Sequence, residues 1–270
     1  MKRRAVLLGW LIVSITMGLS LRAQAASSIS SFDVTATVLK DKSVHIQEKI
    51  AYDFGDVVDD FGIIRNIPLG GQNLPQLTIR ILGVTDDQGT PLAYVVTTAN
   101  NALGIVIGDK NVFVRGVHTY VIDYLVQNIM GVANGLDTLG WNITGSGWGM
   151  PIKHSSAVFI LPEALAPNLI EATCFTGSNG SYEQACTKQI EAGTSTTAIR
   201  FSVTRLLDIG EGWTVYLKIH PPVLAGQTPV HLGFVWLVVA VLIVLIFIFR
   251  KPARALLMKG VSRAKRHRSR

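Results

Sequence analysis

Apolar residues in this chain recur mainly on every second position, in short runs. Residues 44–54 (VHIQEKIAYDF) carry Val44, Ile46, Ile50, Tyr52 and Phe54 on one parity, the pattern of a strand with one buried face. FDVTATV (32–38) alternates likewise, and the KDKS turn between the two runs predicts a hairpin. LTIRILGV, DDQGTP and LAYVVTT predict a second hairpin. NVFVRGVHTYVIDYLVQ reads as one long strand, or as two strands broken at Gly116. SSAVFILP, AIRFSV and WTVYLKIHPP supply three more strands, and PEALAPN has room for one helical turn. Long helical periodicity and internal repeats are absent. The pattern predicts an all-β fold, an antiparallel β-sandwich over residues 26–222.

The two ends break this pattern. MKRR, an apolar run from Ala5 to Leu21 and the small-residue triplet Ala23-Gln24-Ala25 predict a signal peptide over 1–25, cleaved after Ala25. An uncleaved anchor is the competing reading of the same segment. Residues 223–229 read as a linker into the span 230–249, where Leu232 to Phe249 holds no charge. At ~1.5 Å per residue that span crosses a hydrocarbon core of ~30 Å as one transmembrane α-helix. Residues 250–270 hold nine Lys or Arg and no acid. Such a tail stays on the cytoplasmic side, giving a single-pass, type I cell-membrane topology with the N-terminal domain extracytoplasmic.

Charge changes meaning once it is divided this way. The chain totals +7, yet residues 26–249 carry 12 bases against 18 acids. The basic excess belongs to the ends, so nucleic acid is not an expected partner. Membrane lipid is, through the helix and the basic tail.

Glu48 is the anomaly. It lies in the row of Val44, Ile46 and Ile50, where an ionised acid is costly unless paired. Arg65, flanked by Ile63, Ile64 and Ile67, is the partner the sequence offers, because a guanidinium takes a carboxylate through two hydrogen bonds. The pair is read as a structural clamp that locks a loop at 59–68 onto the hairpin. The rival readings make Glu48 a general acid or base, or an inward charge guarding an edge strand.

Motifs of catalysis are missing: there is no G-x-S-x-G, no H-E-x-x-H, no P-loop and no paired-cysteine zinc spacing. No catalytic residue, metal or cofactor is expected. Asp53, Asp56, Asp59 and Asp60 read as a solvated acidic loop rather than a calcium site. Cys174 and Cys186 bracket a Gly-Ser-Asn loop and predict a disulfide outside the cytoplasm. In WNITGSGWGMPI, Trp141 and Trp148 with their interleaved glycines form either a ligand platform for a sugar or peptide, or a bulged strand-turn-strand with both indoles in the core.

Several blocks together carry a family resemblance. Glu48, Ile50 and Phe54, then GIIRNIPL, GDKNVFVRGVHTYVIDYLV, LGWNITGSGWGMPI, CFTG and GEGWTVYLKIHPP resemble, in order over about residues 28–222, an uncharacterised bacterial family of predicted membrane proteins. Its extracytoplasmic module is known as domain of unknown function twenty-two-oh-seven. The resemblance implies a β-rich domain outside the membrane followed by an anchor, and no reaction. Longer relatives look to have further membrane helices and a glycine-rich cytoplasmic end, where this sequence has one helix and a short basic tail.

The function these features suggest is binding, with an envelope protein, a glycan or a second copy as partner. The alternative is an enzyme acting on envelope polymers, with Glu48, Asp123 or His118 in a cleft. Strand parity puts His118 with Tyr120, Ile122 and Tyr124 on one face and Asp123 on the other, which weighs against that alternative. An accessory to a transporter is a third class, but the span 230–249 has no ionisable residue at mid-bilayer to carry an ion path.

Overall fold

In the computed structural model the described residues are 27–56, 60–70, 76–162, 168–193 and 196–220. The segments expected as signal peptide (1–25), transmembrane helix (230–249) and basic tail (250–270) lie outside them, as do residues 163–167 of the expected helical turn. Among the described residues no helix is long and apolar enough to cross a membrane.

Among the described residues fourteen strands form. β1 (Ser28–Val38), β2 (Val44–Asp53), β3 (Gly62–Pro68), β4 (Thr78–Thr85) and β5 (Tyr94–Ala99) lead, followed by β6 (Ala102–Gly108), β7 (Val117–Gln127), β8 (Met130–Ala133) and β9 (Leu136–Asn142). β10 (Ser155–Pro162), β11 (Leu169–Gly177), β12 (Cys186–Ala192), β13 (Thr196–Val203) and β14 (Gly212–Ile219) complete the set. They make a seven-stranded sheet β12-β13-β10-β1-β2-β7-β4, a four-stranded sheet β11-β14-β9-β8 and a three-stranded sheet β3-β6-β5.

Alternation decides which face of each sheet is covered. Cross-strand register puts Val34, Glu48 and Ile122 in one row of the large sheet. Phe32, Ile50, Tyr124, Phe159 and Phe201 are buried with that row. Trp213, Val215, Leu217 and Ile219 give β14 its buried side, and Ile63, Ile67, Ile105 and Ile107 give the small sheet its own. All belong to one hydrophobic cluster.

The fold is all-β, but not wholly antiparallel: β1 pairs with β10 in parallel, Phe32 beside Ser155 through Thr37 beside Ile160. The hairpin expected from residues 32–54 is present as β1–β2. The second expected hairpin is not. β4 pairs with β7, and β5 pairs with β6. Pairing between β4 and the returning chain is limited to a single bridge, Thr85 to Pro91, flanked by hydrogen bonds from Leu92 N to Val84 O (3.0 Å) and from Asp86 N to Thr90 O (2.9 Å). The long run 111–127 forms strand only from Val117; Gly116, at φ 68°, turns the chain just before it. Residues 62–68, expected within a loop, are strand β3.

Candidate functional site

Glu48 and Arg65 meet in the interior, 0% and 2% exposed. Arg65 Nε donates to Glu48 Oε2 and Nη2 donates to Glu48 Oε1, each at 2.8 Å. The remaining guanidinium protons go to backbone carbonyls: Nη1 to Thr144 (2.7 Å) and Asn66 (3.1 Å), Nη2 to Ile143 (3.1 Å). Tyr124 Oη donates to Glu48 Oε1 at 2.6 Å, and the guanidinium lies 5.2 Å over the Phe32 ring. Every donor of the arginine is thereby used. Burial opposes the Arg65 charge, but Glu48 beside it outweighs that and holds the guanidinium above its ordinary pKa. Burial, then the charge of Glu48, pushes the Tyr124 phenol well above its own. β2 is interior to its sheet, so Glu48 guards no edge.

The glycines of WNITGSGW serve this network. Gly145, at φ 72°, passes so close to Arg65 that a Cβ there would sit 2.9 Å from Nη1. Trp148 Nε1 donates to Thr144 O at 2.8 Å, and its ring meets Phe32 edge-on at 6.0 Å. Trp141 packs 6.4 Å from Tyr124. With exposures of 4% and 8%, Trp141 and Trp148 form no surface platform for a ligand; their indoles belong to the core.

The groups named for catalysis do not converge. Glu48 is bound to Arg65, and His118 Nε2 lies 3.1 Å from the Arg115 carbonyl. Asp123 pairs instead with His45 on the open face of β2 and β7, where Gln47 also reaches it. His45 was not singled out from sequence, although its parity with Gln47 and Lys49 marks the solvent face. Cys174 on β11 and Cys186 at the start of β12 are disulfide-bonded, joining the edge of the four-stranded sheet to that of the large one. Among the described residues no His, Cys, Asp and Glu side chains gather in a metal-holding group; Asp53 Oδ1 caps the turn at Gly55 N.

Sequence reasoning missed a concavity of about 550 Å³ beside the small sheet. Its walls come from the start of β7, the end of β6, the 86–92 turn and Phe61. Asp86 Oδ1 builds that turn by accepting from Gln88 N (2.9 Å) and Thr90 N (2.8 Å), hydrogen bonds that hold its pKa below the usual range. Asp109 Oδ1 shapes the facing loop by accepting from Asn111 N at 2.9 Å. Phe61 stacks on Phe113, ring centroids 4.4 Å apart, at the rim. Burial, with the charges of Tyr52 and Asp60 adding to it, pushes the Tyr120 phenol up to about 12. The other side of the small sheet presents Ile64, Val95 and Val106 as an exposed apolar row.

A model of the predicted membrane protein (DUF2207) N-terminal domain matches residues 28–228. The chain belongs to this family. The DUF2207 chain is also 31% identical over 157 residues to the uncharacterized protein YciQ of Escherichia coli (strain K12), a match covering 56% of this chain. It spans only 25% of that relative. Among solved structures, M1 zinc metallopeptidase from Deinococcus radiodurans is similar at TM-score 0.42 and 10% identity, over 71% of this chain and 42% of that one. Leukotriene A4 hydrolase from Saccharomyces cerevisiae is similar at 0.42 and 9%, over 76% and 33%. Likeness at that level carries nothing about what this chain does. The blocks behind the family resemblance do converge in space. GIIRNIPL brings Arg65, VIDYLV brings Tyr124, and WNITGSGW brings the Thr144 carbonyl. Gly212 of GEGW packs against the Gly145 carbonyl.

Proposed function

We propose that this DUF2207 domain is a binding module of the bacterial cell envelope, a β-sandwich held outside the cytoplasmic membrane by one helix at 230–249, with the signal peptide 1–25 removed and the basic tail inside. The observation that carries the reading is the surface of the small sheet. Phe61, Ile64, Val95, Val106 and Phe113 are large apolar side chains left exposed around one end of the domain. Contiguous exposed apolar surface of this kind marks recognition sites. Its chemistry favours a protein of the envelope over a glycan, which would need more polar partners than this face offers. The acid and base groups that an enzyme would draw on are engaged elsewhere, as above, which favours binding over hydrolysis.

Photo-crosslinking in intact cells tests this. A crosslinking residue at Phe113 or Val95 should yield discrete protein adducts, while one at Val132, still more exposed but on β8, should not. Equal adducts from both faces, or none from either, would sink the proposal.

A further inference from the structure

The cavity beside the small sheet has a chemical character of its own. Among the described residues its lining combines an apolar floor, including Leu92, Ile107 and Val114, with three carboxylates, Asp86, Asp87 and Asp109, one imidazole, His118, and no Lys or Arg. Lys110 and Arg115 lie in the neighbouring loop but do not line it. A volume near 550 Å³ falls in the range of small-ligand sites, roughly 300–1,000 Å³. A second feature points to an occupant independently of the acids. Tyr120 lines the cavity, is 4% exposed, and its hydroxyl has no hydrogen-bond partner among the described residues. The hydroxyl is not among the sealed, unpartnered polar atoms, so it is open to solvent, and a ligand's polar atom can take the place of water there. An apolar body on the floor, a cation facing the carboxylates and a polar atom at Tyr120 together answer the floor, the acids and the phenol.

We infer that this cavity is a binding site for an organic cation carried on an apolar group, an alkyl- or arylalkyl-ammonium or a guanidinium. The inference rests on the reading of the domain as a binding module and specifies what enters it. Both sources of that chemistry are compact enough: a Lys or Arg side chain beside an apolar residue of a protein partner, or a free amphiphilic amine. Anions are repelled at the mouth, and neutral apolar ligands leave the carboxylates unanswered.

The test is ligand-observed NMR with the full chain in nanodiscs, using phenethylammonium, the neutral analogue 2-phenylethanol, and the peptide acetyl-Leu-Lys-amide. Phenethylammonium should bind saturably and at least about tenfold tighter than 2-phenylethanol. Asp87 and Asp109 are exposed, so Asp87→Asn with Asp109→Asn should leave the thermal melt in place and weaken the cation about tenfold. Tyr120→Phe, which keeps the ring, should weaken it severalfold. Tighter binding of the peptide assigns the source to a protein partner, and the reverse order to a free amine. Equal affinity for the neutral analogue, an unchanged affinity in the Asn variant, or no saturable signal would overturn the inference. If crosslinks at Phe113 persist alongside such a result, the binding module stands and only its cationic ligand falls.

Discussion

The Arg65 guanidinium is surrounded by acceptors, and its neighbour Glu48 has no route to water. Removing one charge therefore strands the other. Glu48→Ala is expected to destabilise the domain by about 3–5 kcal/mol, and Arg65→Met by a similar amount. Combining Arg65→Met with Glu48→Leu should recover much of the loss, and a double-mutant cycle by denaturant melts reads the coupling. Additive losses would show that the pair is not a unit. Tyr120 makes a second prediction, in pH. Its folded pKa of about 12 lies above the ordinary value of 10.0, so its contribution to stability is complete below pH 10 and is lost as pH climbs toward 12. Tyr124 acts in the same direction. Melting temperatures taken across that interval should fall, and less steeply in Tyr120→Phe. Glu48 and Arg65 were legible because side-chain alternation put an acid in a buried row and an arginine among isoleucines. Tyr124 was placed on the correct face but not joined to the pair. The carbonyls of Asn66, Ile143 and Thr144 left no trace, since a backbone acceptor has no sequence signature.

Among the elements, the pairing of β3 with β6 depends on two facing glycines. Gly62 and Gly108 are partners at the end of the ladder, at φ 143° and 128°. A Cβ on either would enter the other strand's backbone, at the carbonyl of Ile107 or of Phe61. Gly108→Ala should therefore destabilise the small sheet by at least about 2 kcal/mol. Hydrogen exchange would show the loss concentrated in β3, β5 and β6, with β1 and β2 little changed. Uniform protection across both sheets would contradict this. Clean alternation made β1, β2, β7, β10, β13 and β14 readable. β3 alternates as well, with Ile63, Arg65 and Ile67 inward, but an arginine in that row interrupts the apolar pattern by which a strand is recognised. The pairing of β4 departs from the expected hairpin because sequence neighbours are the usual partners, and here β4 adds to β7 while β5 adds to β6.

At the scale of the molecule, Arg65 and the disulfide are two of the links between the sheets. Arg65 reaches from the small sheet to Glu48 in the large one and to the residues that follow β9. Cys174–Cys186 and the hydrogen bond from Lys188 Nζ to Ala172 O (2.7 Å) join β12 to β11. Closing a loop of 12 residues stabilises by roughly 3 kcal/mol in the chain-entropy model, so reduction should lower the melting temperature and expose β12 first to protease. The cavity was illegible because separate segments between Phe61 and Tyr120 build it, and only the tertiary fold brings them to one place. The parallel contact of β1 with β10 has a further consequence for biogenesis. A ribosome delivers β1 about 120 residues before the strand that covers its flank, since Phe32 waits for Ser155. Through that interval the nascent polypeptide carries a bare, sticky margin. A holdase bound to that margin would shield it, and a fragment stopped before Ser155 should precipitate where the full chain stays dispersed.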